Sequence, residues 1–310
     1  MMEDFVAEWL SDAPFVVAHT SGSTGAPKRI RLLKSDMIAS ARATNAFFGL
    51  GPGSLAALPL SAEYIAGKMM IVRGIVGGYR VVRLPVSNAL VLPDDGSVFD
   101  LVPVVPSQAS GLPEHPEYAR RIRNLLVGGA MPEADVLRRL CRAGFNAWIS
   151  YGMTETCSHV ALARADDASL TFRAMPGVSF AAADGGRLVV RAPAFSFGEL
   201  TTNDVVELCG PHAFRWRGRA DNVINSGGLK LHPEELERLY APFLHGRAFY
   251  VAGRPDERWG RAAALVVEGD IDGNAVMDAL RRNIDHRLCP KRIETVPEIP
   301  RTKNGKIKRI

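Results

Sequence analysis

The residues whose types and spacing could do chemistry begin at Thr20. An apolar run, Phe15-Val16-Val17-Ala18, opens into His19-Thr20-Ser21-Gly22-Ser23-Thr24-Gly25-Ala26-Pro27-Lys28, and Arg29-Ile30-Arg31-Leu32-Leu33 follows at once. Gly22 and Gly25 permit backbone angles that turn N–H groups onto an anion. Thr20, Ser21, Ser23 and Thr24 add hydroxyl donors, and Lys28 adds a point charge. The chemistry is phosphate binding, weighed at even odds against a plain polar turn. No Gly-Lys-Ser/Thr closes the loop and no helix follows directly, so it is not a Walker A loop. Strand-like text on both sides argues against a flexible linker and for a tight hairpin-like turn inside a domain.

Further candidates follow in order. Lys68 and Arg73 stand in the apolar stretch Tyr64–Gly74. Long cations in such company usually extend to the surface, and the functional alternative is a charge aimed at an anionic substrate group. After the apolar run Leu125-Leu126-Val127 come Gly128-Gly129-Ala130, where a flat ring could approach the backbone or the chain could simply turn. Ala147-Trp148-Ile149-Ser150 ends in Tyr151-Gly152-Met153-Thr154-Glu155. An aromatic ring, a hydroxyl and a carboxylate at a strand's end suit stacking on a base, contacting phosphate and holding a hard cation. Asp204 could accept from both hydroxyls of a ribose or merely form a turn. The stretch Pro300–Arg309 is basic, and a solvated tail is its ordinary meaning.

The elements that must carry these residues read as an α/β layered N-terminal domain followed by β-rich text from Gly177 and a small α+β C-terminal domain. Residues 1–12 read as an amphipathic helix. Ser35 with Asp36 reads as an N-cap and acidic first turn of a helix reaching about Phe48, and a further helix is expected from Pro116 to Arg123. Pro233 followed by Glu234 and Glu235 is a strong helix start. The 310 residues, 47% apolar and 23% charged with net charge +5, fit a globular chain of two domains. The basic residues form no concentrated stripe, which argues against nucleic acid as partner. No apolar run of membrane length and no secretory signal is read, so the expected location is cytoplasmic. The four cysteines, Cys141, Cys157, Cys209 and Cys289, and the seven histidines form no paired or zinc-like spacing.

Thr20–Lys28 resembles the phosphate loop of the adenylate-forming superfamily, which includes acyl- and aryl-CoA synthetases, peptide-synthetase adenylation domains and luciferases. Four further elements follow in the family's order. Tyr151-Gly152-Met153-Thr154-Glu155 resembles its Tyr-Gly-x-Thr-Glu motif and makes Glu155 the implied Mg²⁺ ligand, beside Thr154. Thr201-Thr202-Asn203-Asp204 is similar to its Thr-Gly-Asp element with Asn203 in place of glycine, a departure that asparagine's tolerance of left-handed angles would absorb. Gly218–Glu237 resembles the hinge and the loop after it, with Arg219 on ribose, Asp221 as pivot, and Ser226-Gly227-Gly228 lining a pantetheine channel. Pro300-Arg301-Thr302-Lys303-Asn304-Gly305-Lys306 resembles the last motif, whose lysine, here Lys306, enters the active site.

The resemblance implies an enzyme using ATP, Mg²⁺ and CoA, with residues 1–220 binding ATP and the acyl group and 221–310 forming a mobile domain. Gly129, Ala130 and Ser150 join the nucleotide set. The segment Tyr64–Arg73 resembles that of o-succinylbenzoate:CoA ligases of menaquinone synthesis, a substrate with two carboxylates needing a second cation, Lys68 or Arg73. The rivals are an adenylation module serving a carrier protein, for which Glu63 could receive an amino group, and an inactive nucleotide-binding homologue. A homodimer is left open. Family members carry a long segment before the phosphate loop; the intact pocket and hinge motifs favour a compact variant over a fragment.

Overall fold

The computed structural model describes residues 2–19, 29–301 and 307–309. The phosphate-loop expectation, Thr20 to Lys28, and Lys306 lie outside the described residues. The chain divides into two compact units: Met1–Ala181 with Val189–Leu200 and Leu208–Arg215, and Trp216–Ile310 with Ala182–Leu188 and Thr201–Glu207.

In the first unit, α1 (Met2–Leu10) buries Phe5 and Trp9, and its Glu8 accepts a hydrogen bond from Val17 N. Strands β1 (Phe15–His19) and β2 (Arg29–Leu33) pair antiparallel, with His19 opposite Arg29, so the phosphate-loop segment is flanked by paired strands. Helix α2 (Lys34–Phe48), β3 (Leu55–Leu58), α3 (Ile65–Gly77) and β4 (Arg80–Arg83) follow, β3 and β4 pairing parallel. Helix α3 is buried from Gly67 to Gly74, as a helix apolar on all sides must be. Its entry is tight: a Cβ on Gly67 would lie 2.2 Å from Ser61 O.

A parallel set comes next. Strands β5 (Val102–Val104), β6 (Leu125–Val127) and β7 (Ala147–Gly152) are joined through α4 (Pro106–Gly111) and α5 (Ala134–Arg142). Strands β8 (His159–Arg164) and β9 (Thr171–Ala174) continue antiparallel. Val102, Val104, Leu125, Val127, Leu140 and Phe145 form part of the core on this sheet. Strands β10 (Ser179–Ala183), β11 (Arg187–Ala192), β12 (Gly198–Leu208) and β13 (Ala213–Arg219) make the β-rich stretch, Ala213–Arg215 pairing with β9.

The second unit contains β14 (Ile224–Ser226), β15 (Leu229–Leu231), α6 (Pro233–Tyr240), β16 (Phe249–Asp256), β17 (Gly260–Glu268), α7 (Gly273–Asn283) and β18 (Arg292–Val296). Strands β16 and β17 are antiparallel, and β18 joins β17 in parallel. Leu236, Tyr240, Val251, Leu265 and Leu280 fill its core, and α7 is capped by Asp272, which accepts from Asn274 N and Ala275 N.

Two local expectations differ from the structure. Helix α2 starts at Lys34 with no side-chain cap, because Asp36 is buried and its carboxylate is taken by Ser196, through the backbone N–H at 3.0 Å and the hydroxyl. Around Pro116 the chain forms only a 3₁₀ turn, Pro116–Arg120, where the ring of Tyr118 stacks on His115.

A buried polar cluster ties α2, α3 and β8 together. Tyr79 OH donates to Asn45 Oδ1, and Asn45 Nδ2 donates to Arg73 O. Thr44 Oγ1 donates to Ser40 O at 3.0 Å and lies 3.1 Å from His159 Nε2. The Thr44 proton is thus committed, so His159 Nε2–H is the donor and its Nδ1 lone pair faces Arg73 Nη2 at 3.5 Å. Burial first, then the Arg73 charge, holds the His159 imidazole well below its ordinary pKa. The fold therefore excludes a proton that the unfolded chain accepts below about pH 6.5, and stability contributed by the neutral ring is lost as pH falls from there. His159→Gln keeps a donor and an acceptor without titrating. Between pH 7 and pH 5 the parent should lose about 2 kcal/mol more stability than this variant, read from urea midpoints; equal losses would contradict the assignment.

Candidate functional site

Parallel strands need crossover connections, so the loops leaving their carboxyl ends collect on one side. Val127 of β6 pairs with Ile149 of β7, and beyond this pair the two chains become Gly128-Gly129-Ala130 and Ser150-Tyr151-Gly152. Two expected elements are thereby neighbours. Ser150 Oγ donates to Val127 O at 3.1 Å, and a Cβ on Gly128 would stand 2.5 Å from that hydroxyl, so glycine is required for the approach. Gly129 takes φ +90, and it and Ala130 are exposed.

A β-bulge between Tyr151 and Gly152 ends the regular pairing of β7 with β8. Bulges re-aim the residues that follow them. Here the chain turns through Thr154–Thr156, fixed from inside by Thr156, whose buried hydroxyl accepts from Met153 N and lies 2.7 Å from Ser158 O. A Cβ on Gly152 would lie 2.1 Å from Ser158 O, so the turn folds directly against its own strand. The turn presents Glu155 exposed and Thr154 half-buried, and β2 packs beside it. Tyr151 is half-buried, edge-on to Phe172 and Phe214 at 5.8 and 5.0 Å. Cys157 closes the turn at φ +61, an angle that side chains avoid, and burial pushes its thiol up to about 12.

The strained turn delivers Ser158 to Arg73. Arg73 is 2% exposed; Nη2 donates to Ser158 Oγ at 2.7 Å, Nη1 faces Met70 Sδ at 3.3 Å, and Nε has no hydrogen-bond partner among the described residues. Among the described residues no carboxylate pairs with it. Burial lowers its pKa to about 10, which leaves it a cation at neutral pH. Lys68 differs. It is buried too, but Glu8 Oε2 lies 3.6 Å from Nζ and the Phe5 ring 4.3 Å away, so its charge is already met. Ser158, His159 and Thr44 are contributors the sequence reading did not single out; Ser158 and His159 directly follow Glu155-Thr156-Cys157, which was the available signal.

In the second unit, Asp204, Arg219 and Asp221 gather. Asp204 is buried; Oδ1 accepts from Trp216 Nε1 at 3.1 Å and lies 3.6 Å from Arg219 Nη1. Arg219 Nη2 stands 3.8 Å from Asp221 Oδ2. Asn203 donates to Asp221. Asn203 lies within β12 and is absent from the described non-glycine residues with positive φ, Cys157, Leu170 and His245. Its replacement of glycine thus rests on this side-chain contact rather than on left-handed backbone. Ser226, Gly227 and Gly228 form the β14–β15 turn; Gly227 has φ +55, its N–H donates to Trp259 O, and a Cβ there would meet the Trp259 ring at 2.3 Å.

Two family models match: the AMP-binding enzyme model over residues 4–202 and the AMP-binding enzyme C-terminal domain over residues 246–306. A Mycobacterium tuberculosis (strain H37Rv) protein named probable 2-succinylbenzoate–CoA ligase is 30% identical, over 98% of this chain and 85% of its own length. An Enterococcus faecalis protein named 2-succinylbenzoate–CoA ligase is 26% identical, over 94% of this chain and 67% of its own. The crystal structure of an acyl-CoA synthetase (AMP-forming)/AMP-acid ligase II-like protein from Dyadobacter fermentans is similar at TM-score 0.66 and 34% identity, covering 98% of this chain and 90% of that one. O-succinylbenzoate coenzyme A synthetase from Bacillus subtilis, in complex with ATP and magnesium ion, shares the fold at TM-score 0.79 and 21% identity, over 94% and 68%. With one family model matching most of its length and a relative at 30% identity along nearly all of it, the chain belongs to the AMP-binding enzyme family.

Proposed function

We propose that the chain is an ATP-dependent acid:CoA ligase that activates an aromatic dicarboxylate, with o-succinylbenzoate as the best candidate, as its acyl-adenylate and then forms the CoA thioester. The carrying observation is the buried, carboxylate-free Arg73 linked through Ser158 to the turn that holds Thr154 and Glu155. Among the described residues this cation has no internal counter-charge, and it adjoins residues whose types would suit nucleotide binding. Relatives named as 2-succinylbenzoate–CoA ligases support the same reading. Glu63, the residue a carrier-loading rival would use, is exposed in the turn before α3, whereas the Arg73 charge is buried.

The chemistry follows from charge. The substrate carboxylate must approach the α-phosphate of ATP, and two anions repel until cations neutralise them and the site fixes their line of approach. Thr20–Thr24 and Lys28 would hold phosphates, Gly129, Ala130, Tyr151, Gly152 and Met153 the base, and Asp204 and Arg219 the ribose. Glu155, an exposed carboxylate beside the Thr154 hydroxyl, offers hard oxygen donors of the kind that hold Mg²⁺ together with phosphates and water. When bound, that ion supplies neutralisation of phosphate charge. Lys306 would bridge the attacking carboxylate and the α-phosphate. Pyrophosphate leaves, residues 221–310 swing about Asp221, and the Ser226-Gly227-Gly228 turn guides the CoA thiolate to the acyl carbon, releasing AMP. The distal carboxylate of the substrate would meet the Arg73 charge beside Ser158, whose hydroxyl accepts from Nη2 and lies 3.4 Å from His159 Nδ1.

Pyrophosphate exchange over a panel of acids, followed by a CoA-dependence assay, tests the reading directly. Arg73→Ala should raise KM for succinylbenzoate roughly tenfold or more, the worth of a charge-assisted hydrogen bond, and leave KM for benzoate nearly unchanged; parallel shifts would refute the dicarboxylate assignment. Lys306→Ala should lower pyrophosphate exchange by about 10²- to 10³-fold and spare thioester formation from supplied acyl-adenylate. Equal loss of both half-reactions would remove Lys306 from its role.

A further inference from the structure

We propose that Arg309, held by Glu237 and Glu234 of α6, is a positioning residue for Lys306 in the adenylation step; this rests on the reading that Lys306 acts there. Lys306 is followed by three residues that are fastened one after another. Ile307 bridges antiparallel to Arg301 and packs against Tyr250, Val266 and Ile299. Lys308 N donates to Pro300 O at 2.8 Å. Arg309 Nη2 lies 2.8 and 2.7 Å from the two carboxylate oxygens of Glu237, and 3.6 Å from Glu234 Oε1.

These carboxylates are themselves fixed. Glu237 Oε1 also accepts from Val251 N at 2.7 Å, which pins it to β16. Glu234 is buried, and its Oε1 accepts from Asn222, the residue after Asp221. Room for it depends on Gly218, where a Cβ would stand 2.3 Å from Glu234 Oε2. One helix face therefore connects the segment following Lys306 to the segment following the pivot. Every group named belongs to the second unit, so the contacts travel with it when it moves. Three residues, at most about 10 Å of chain, separate Lys306 from the anchor at Arg309. Releasing it returns conformational freedom that must be lost again at each turnover, and fixing one residue's backbone corresponds to about a tenfold factor.

The test uses the whole chain with Arg309→Ala, Arg309→Lys, Glu237→Gln and Lys306→Ala, each assayed for succinylbenzoate-dependent pyrophosphate exchange and for thioester formation from supplied acyl-adenylate. Arg309→Ala should lower kcat for exchange about tenfold with KM values held, and leave thioester formation within about twofold. Glu237→Gln should move exchange in the same direction, and Arg309→Lys should restore it partly, since lysine keeps the charge but not the fork. Unfolding of the second unit in Arg309→Ala would appear as loss of thioester formation, and Glu237→Gln then decides. Exchange unchanged in both Arg309→Ala and Glu237→Gln, or both half-reactions reduced alike in Glu237→Gln, would overturn the positioning role while a normal Lys306→Ala defect left the parent reading standing. An undiminished Lys306→Ala would remove the parent reading itself.

Discussion

Keeping a guanidinium in the interior with no carboxylate among the described residues to meet it is the constraint on which the first unit turns. Moving an ion out of water is costly unless its donors are satisfied; among the described residues the Arg73 guanidinium meets neutral groups, Ser158, His159 and Met70, and its Nε meets none. That choice propagates. His159 stays neutral beside the cation, Thr44 donates to the backbone of α2 and so leaves Nε2–H as the donor between them, and Asn45 donates to Arg73 O. A carboxylate in place of Ser158 or His159 would meet that charge from inside the fold. The close entry of α3 at Gly67, where a Cβ would lie 2.2 Å from Ser61 O, fixes the start of the helix that carries Arg73.

The same logic of forced proximity shapes the turn beyond β7. Glycine at 128 and 152 lets two loops and a strand approach within distances no side chain would permit, and Cys157 accepts an unfavourable φ to complete the reversal. A sparsely populated backbone conformation of this kind costs an ordinary residue on the order of 1–3 kcal/mol. Here it is over-determined by Thr156 and by the flanking strand β8. The reversal is what allows Ser158 to touch Arg73 while Glu155, three residues earlier, faces solvent.

Much of this was legible in residue order, because turn chemistry is local. Glycines next to hydroxyls at the ends of apolar runs mark where strands stop, as they do after Leu125-Leu126-Val127 and Ala147-Trp148-Ile149-Ser150. What was not legible is what depends on partners distant in sequence. Asp36 looks like a first-turn acid and is instead claimed by Ser196; Lys68 and Arg73 look alike and differ only because Glu8 reaches one and not the other. Beyond its place just after Glu155-Thr156-Cys157, His159 carries no mark of its role, since Thr44 and Arg73 lie 115 and 86 positions away. Asn203 was accounted for by backbone tolerance, whereas its side chain makes the contact that matters.

Helix α6 shows why one stretch can be read correctly for the wrong reason. Pro233, Glu234 and Glu235 announce a helix start, because a fixed φ suits the first position and acids suit the positive end of the helix dipole. The dipole also lessens the cost of burying Glu234, which is why a carboxylate can sit at 8% exposure and still accept from Asn222. Glu237, one turn further, shares that face by the three-residue spacing and meets Arg309 there. The residues that begin the helix are thus the ones that hold the segments after Asp221 and after Lys306 on a common face, and a helix start without buried acids would fold the element equally well but leave both segments unfastened.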